Sequence, residues 1–181
     1  MRRDSDAHPR WIQGLPQSRM VYPKSITHRI RYYLWLALGP YHKHVRNGAI
    51  KLKVIKNYGR QPFLLGIIAP HVSIEDLVTR LVSHGYAYHR VAWEDDGEIV
   101  SLRHVKDFIF QYHVRVFEDR EVRAHYEYTP ECYPLAHLMN TGFEAKTDEF
   151  LAIIGDMLVP AQADTSDFRW EILPFVQKIW K

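Results

Sequence analysis

Apolar and polar residues alternate strictly over residues 111–129, the longest period-two run in the chain. That period marks strands whose successive side chains point to opposite faces. On the first arm Tyr112, Val114 and Val116 share one face, and Gln111, His113 and Arg115 share the other. On the second arm Val122, Ala124, Tyr126 and Tyr128 alternate with Arg123, His125, Glu127 and Thr129. A turn at residues 118–121 joins the arms into an antiparallel hairpin with one apolar and one polar face. Two registers keep the faces consistent. Either His113 opposes His125, or a loop two residues longer sets His113 opposite Glu127 and Arg115 opposite His125.

The pattern elsewhere predicts helices and further strands. Ser25 caps a helix that Gly39-Pro40 stops, with Ile30, Tyr33, Leu34 and Leu38 at helical spacing and His28, Arg29 and Arg31 towards its rim. After the Asn47-Gly48 turn, residues 49–55 alternate aliphatic side chains with lysine and read as a strand with a basic outer face. The apolar run 63–69 suits a central strand. Ser73 and Asp76 form a capping-box-like start, Val72 and Leu77 a hydrophobic staple, and Gly85 a C-cap for a helix over 74–84 that buries Leu77, Val78, Leu81 and Val82. Strands over 86–93 and 98–105 flank a turn at Asp95-Asp96-Gly97, with glycine at the left-handed position. Pro134 starts a short helix to Met139, and a capped amphipathic helix runs over 147–158. Strands in adjacent hairpins with helices before and after make this α+β, with a mostly antiparallel sheet. Residues 1–24 form an extended N-terminal arm, 25–159 a single domain, and 160–181 a linker and apolar tail that packs on the domain or on a partner.

Composition changes this picture little. The chain has 181 residues, 46% hydrophobic and 25% charged, which excludes general disorder. Its single cysteine, Cys132, excludes an internal disulfide framework and reads as a small buried hydrophobe. The most apolar stretch, 32–38, falls far short of the roughly 20 residues a spanning helix needs, and the N-terminus lacks the apolar run of a secretory signal. The expectation is a soluble, cytoplasmic protein with no membrane partner.

Charge changes it more. Residues 1–60 hold thirteen Lys/Arg and two Asp/Glu, a formal +11, and the remainder a formal −8, within a net +3. Such asymmetry points to a polyanion partner, or to a basic segment that lies on the acidic remainder of its own chain or of a neighbouring subunit. Basic residues interleaved with Tyr32, Tyr33, Trp35, Tyr41 and Tyr58 suit nucleic acid, where cations track phosphates and rings stack on bases. Arg29, Arg31, Lys43 and Arg46 are the candidate anion contacts of this segment, joined on the hairpin by Arg115 and Arg123.

Candidate chemistry converges on the hairpin's polar face. His113 and His125 there suit paired general acid and base, with Glu127 orienting one imidazole and the arginines stabilising an anion. Phosphodiester cleavage is the reaction this implies. Two other readings stand beside it: a non-catalytic subunit of a homo-oligomer or complex, and a small-molecule or metal-dependent hydrolase on the His/Glu face. A metal held by His113, His125 and Glu127 is the weaker variant, and the bland alternative is a solvated face of paired polar residues. No familiar cofactor motif is present, so the reading calls for no cofactor and no metal. The carboxylates of Glu94, Asp95, Asp96 and Glu98 read as a solvent-exposed acidic turn.

Overall fold

The computed structural model describes residues 9–52, 60, 63–89, 95–133 and 143–160. Its strands are β1 (Leu64–Ile68), β2 (Ala87–Tyr88), β3 (Glu98–Val105), β4 (Phe110–Phe117), β5 (Glu121–Tyr128) and β6 (Leu158–Pro160). They form one six-stranded sheet in the order β2-β3-β4-β5-β1-β6, and every strand pair is antiparallel. The helices are α1 (Ile26–Leu38), α2 (His42–Lys51), α3 (Ile74–Ser83) and α4 (Thr147–Ile154). The fold is α+β, as the pattern predicts, and among the described residues no helix is long and apolar enough to cross a membrane.

The alternating run forms the centre of the sheet. The tighter of the two registers is adopted, with His113 opposite His125, Arg115 opposite Arg123 and Gln111 opposite Glu127. Arg120 takes the left-handed conformation in the connection, at φ 70°. Its guanidinium donates to the carbonyls of Ala69 at 2.9 Å and Val72 at 2.6 Å. The β4–β5 turn is thereby latched to the segment that enters α3. Gly97 is left-handed too, at φ 77°.

The apolar face carries the core. Val100, Leu102, Val114, Val116, Val122 and Ala124 pack with Leu77, Val78 and Leu81 of α3 and with Phe150 and Ile154 of α4. Helix α3 starts on a complete capping box: the Ser73 hydroxyl accepts from the Asp76 N–H, and the Asp76 carboxylate accepts from the Ser73 N–H. Strand β6 extends the sheet where the pattern predicts helix. The helix breaks after Ile154 into a 3-10 turn, Gly155–Met157, and the chain then pairs with β1. Gly66 permits that pairing, because a Cβ there would stand 2.7 Å from the Val159 carbonyl oxygen.

Two N-terminal expectations change. Residues 49–51 lie in the last turn of α2 and not in a strand, and 53–55 fall outside the described residues. The 3-10 turn Gly39–Tyr41 leads directly into α2, so a helical nucleus already exists and propagates through Gly48 at a cost of about 1 kcal/mol. Helix α1 has the opposite facing from the expected one. His28 and Tyr32 pack against Phe108, with ring centroids at 5.0 and 6.5 Å. The Arg31 guanidinium stacks 4.5 Å from the Tyr133 ring centroid. The stripe Ile26, Ile30, Tyr33, Leu34 and Leu38 faces solvent. The N-terminal arm docks through Ile12, which is buried, and through Ser18 N–H to Tyr88 O at 2.8 Å. The predicted helix over 134–139 and the apolar tail lie outside the described residues.

These contacts rank two substitutions. Ser73→Ala removes one cap and should lower stability by about 1 kcal/mol in urea unfolding. Gly66→Ala forces backbone apart and should cost more than Ser73→Ala. A loss at Gly66 no larger than the cap's would show that β6 is not anchored as described.

Candidate functional site

The hairpin's polar face is not solvated. His113, His125 and Glu127 are each 1% exposed, as is Arg115, and Gln111 is fully buried. Alternation guarantees that these side chains share a face, and β3 brings two more to it. Ser101 pairs with Arg115 and Arg103 with His113 across the β3–β4 ladder. The face is therefore a grid of three rows: Ser101, Arg115 and Arg123; Arg103, His113 and His125; and then Gln111 and Glu127.

Burial on this scale requires polar groups to satisfy one another. Arg103 donates through Nη1 to Glu131 Oε1 at 3.0 Å and to Gln111 Oε1 at 3.2 Å. Gln111 Nε2 donates to Glu127 Oε1 at 2.7 Å. Arg115 Nη1 meets Asp95 Oδ2 at 3.0 Å and Glu98 Oε2 at 2.6 Å. Asp95 and Glu98 are thus not an exposed acidic turn. Their side chains are 6% and 3% exposed, drawn in by the guanidinium, while Asp96 stays outside. Glu94 falls outside the described residues.

At the centre, Ser101 Oγ and His113 Nε2 are hydrogen-bonded at 2.7 Å. The other His113 nitrogen, Nδ1, stands 3.3 Å from Glu127 Oε1, and His125 Nε2 stands 3.4 Å from Glu127 Oε2. Neither nitrogen makes a hydrogen bond. The two imidazole nitrogens and the carboxylate offer one donor atom each, all within 4.8 Å of one another. The rings stand nearly perpendicular at 5.1 Å between centroids, and His125 packs on Phe143 at 4.5 Å. Burial pushes the His113 pKa down to about 3; the Glu127 carboxylate opposes that shift and the Arg115 charge adds to it. His113 is a neutral imidazole at physiological pH.

The structure brings His113, His125, Glu127 and Arg115 together and disperses the other predicted contacts. Arg123 donates through Nε to Glu121 Oε2 at 2.9 Å, at the edge of the face. Arg29 is exposed on α1, with Nε donating to Pro23 O at 3.2 Å. Arg31 is turned onto the body of the protein, its Nη1 3.9 Å from Cys132 Sγ, and Cys132 is buried as the sequence suggests. Lys43 and Arg46 lie on α2, and their side chains fall outside what the structure describes. Sequence reasoning missed Ser101, Arg103 and Glu131. The first two had a signal: they alternate with Val100 and Leu102 in phase with the hairpin. Glu131 lies beyond the last strand and carried none.

No family model, curated protein or solved structure matches the chain.

The depressed His113 pKa fixes a pH dependence. The folded value lies below the unfolded value of 6.5, so the unfolded chain takes up a proton first as pH falls. The contribution is complete above 6.5 and declines towards 3, by up to about 1.4 kcal/mol per pH unit. Urea unfolding of wild type and His113→Gln between pH 7 and pH 5 should give the steeper loss in wild type. Equal slopes would contradict the assignment.

Proposed function

We propose that the polar face is a divalent transition-metal centre, held by His113, His125 and Glu127, and that the protein is a metal-dependent hydrolase of small substrates. One observation carries the reading. Two buried imidazole nitrogens without hydrogen bonds converge with a carboxylate, all three donor atoms lying within 4.8 Å. Two imidazoles and a carboxylate suit Zn²⁺, Mn²⁺ or Fe²⁺ and leave coordination positions for water and substrate. The surroundings also suit a metal. With Nδ1 of His113 coordinating, its Nε2 carries the proton and donates to Ser101, while Gln111 holds the Glu127 carboxylate, as supporting contacts do around metal ligands. Such an ion polarises a carbonyl or phosphoryl oxygen and lowers the pKa of bound water. Burial favours this reading over paired-histidine cleavage of a nucleic acid, which needs both rings in contact with a phosphodiester.

After chelator treatment the chain should take up one Zn²⁺ or Co²⁺ with a raised thermal midpoint; saturation at a hundred times Kd adds about 2.7 kcal/mol. His125→Ala and Glu127→Gln should each abolish that rise. A wild-type midpoint unmoved by Zn²⁺, Co²⁺ and Mn²⁺ would sink the reading.

A second reading concerns the N-terminal helices. Residues 9–52 contain eight Lys/Arg and no Asp/Glu, and α1 and α2 are mostly exposed. This supports contact with a nucleic acid or another phosphate-rich polyanion through the basic third of the chain. Binding to a mixed-sequence RNA or DNA should weaken steeply between about 50 and 200 mM salt. Absence of binding to both probes at the lower salt would remove it.

A further inference from the structure

Arg115 holds a second set of unsatisfied groups on the same face. Its Nη1 serves both Asp95 and Glu98, but Nε and Nη2 are buried and make no hydrogen bond. Nε and Nη2 form one planar edge of the guanidinium, with two parallel N–H groups spaced to grip two oxygens on a single atom. A buried, unmet donor pair costs stability and calls for an explanation. Arg115 lies one row from His113 along β4 and opposite Ser101, whose hydroxyl already contacts the His113 ring. The fork and the three donor atoms therefore lie on one face, in neighbouring rows of the sheet.

We infer that the free edge of Arg115 is the anion-recognition element of this site, holding a carboxylate or phosphate group of the substrate through two parallel N–H···O bonds. The inference rests on the metal reading for what happens to that substrate, and it adds the substrate class: a small molecule carrying an oxyanion group next to the bond attacked. Asp95 and Glu98 hold the guanidinium by its far nitrogen and so set the direction of the fork; they are positioning residues. Glu98 and Arg115 are on neighbouring strands, so the aim of the fork is built into the sheet. Burial strengthens charge-assisted bonds and selects for groups that meet both N–H donors at once. Entry to a face this buried requires a transient opening, so association should be slower than diffusion allows.

The test uses the full chain loaded with one Zn²⁺, freed of excess metal, and titrated with inorganic phosphate and, separately, with acetate. Arg115→Lys keeps the charge facing Asp95 and Glu98 and removes the fork. The variant should bind Zn²⁺ as wild type does and bind the preferred anion about tenfold more weakly or worse. Phosphate and acetate distinguish a tetrahedral from a planar group. Equal anion affinity in wild type and Arg115→Lys overturns the inference while leaving the metal centre standing, as does a wild-type chain that takes metal but neither anion. A wild-type chain that takes no metal overturns the metal reading instead, and the same anion titration of the metal-free chain then tests Arg115 by itself. Should Arg115→Lys not fold, the arginine Nε–H resonances of the wild-type chain carry the test. One solvent-protected signal should shift on addition of anion, and a spectrum in which none moves contradicts the proposal.

Discussion

The structure depends on one constraint: its central sheet is buried on both faces, although the sequence makes only one face apolar. On the apolar side the requirement is met by packing against α3 and α4. On the other side it has to be met by polar groups satisfying one another. Arg103 with Glu131 and Gln111, Gln111 with Glu127, and Arg115 with Asp95 and Glu98 do this over most of the grid. Satisfaction stops in one region. His113 Nδ1, His125 Nε2 and the Nε–Nη2 edge of Arg115 remain without hydrogen bonds. Each such buried group costs about 1–3 kcal/mol when unmet, and their places in neighbouring rows of the face make it the candidate site.

The rest of the fold sets the geometry of that region. The tight β4–β5 connection sets the register, Arg120 ties the connection to the entry of α3, and the Ser73–Asp76 box fixes where α3 begins. Donor atoms carried on paired central strands cannot drift apart without breaking the ladder. This is the framework a metal or anion site requires, since ligands must be held close to productive geometry by elements that do not move.

Much of this was legible in the sequence, and the limits are physical. Period two over 111–129 showed which side chains share a face, and it assembled His113, His125, Glu127 and Arg115 correctly. It left two registers open, because both preserve the alternation; the three-residue connection with Arg120 left-handed decided between them. Alternation also cannot show whether a polar face is covered, so a solvated surface and a buried network read alike. The acidic turn misleads for the same reason: Asp95 and Glu98 resemble surface residues until a guanidinium is found opposite them. Local signals failed where tertiary contacts overrode them. Residues 49–51 alternate like a strand but extend a helix already formed, and α1 turns its aromatic and basic side inward because Phe108 and Tyr133 await His28, Tyr32 and Arg31. The capping box of α3 was plain in the sequence because every residue it needs is local.

The central claim is that His113 Nδ1 and His125 Nε2, which face the Glu127 carboxylate, are metal ligands with it. X-ray absorption at the zinc edge of the stoichiometrically loaded chain tests it most directly. The account predicts two imidazole nitrogens and carboxylate oxygen at about 2.0–2.2 Å, and no zinc of that coordination retained by His125→Ala. Zinc whose coordination is the same in wild type and His125→Ala would lie elsewhere on the protein, and the claim would be wrong.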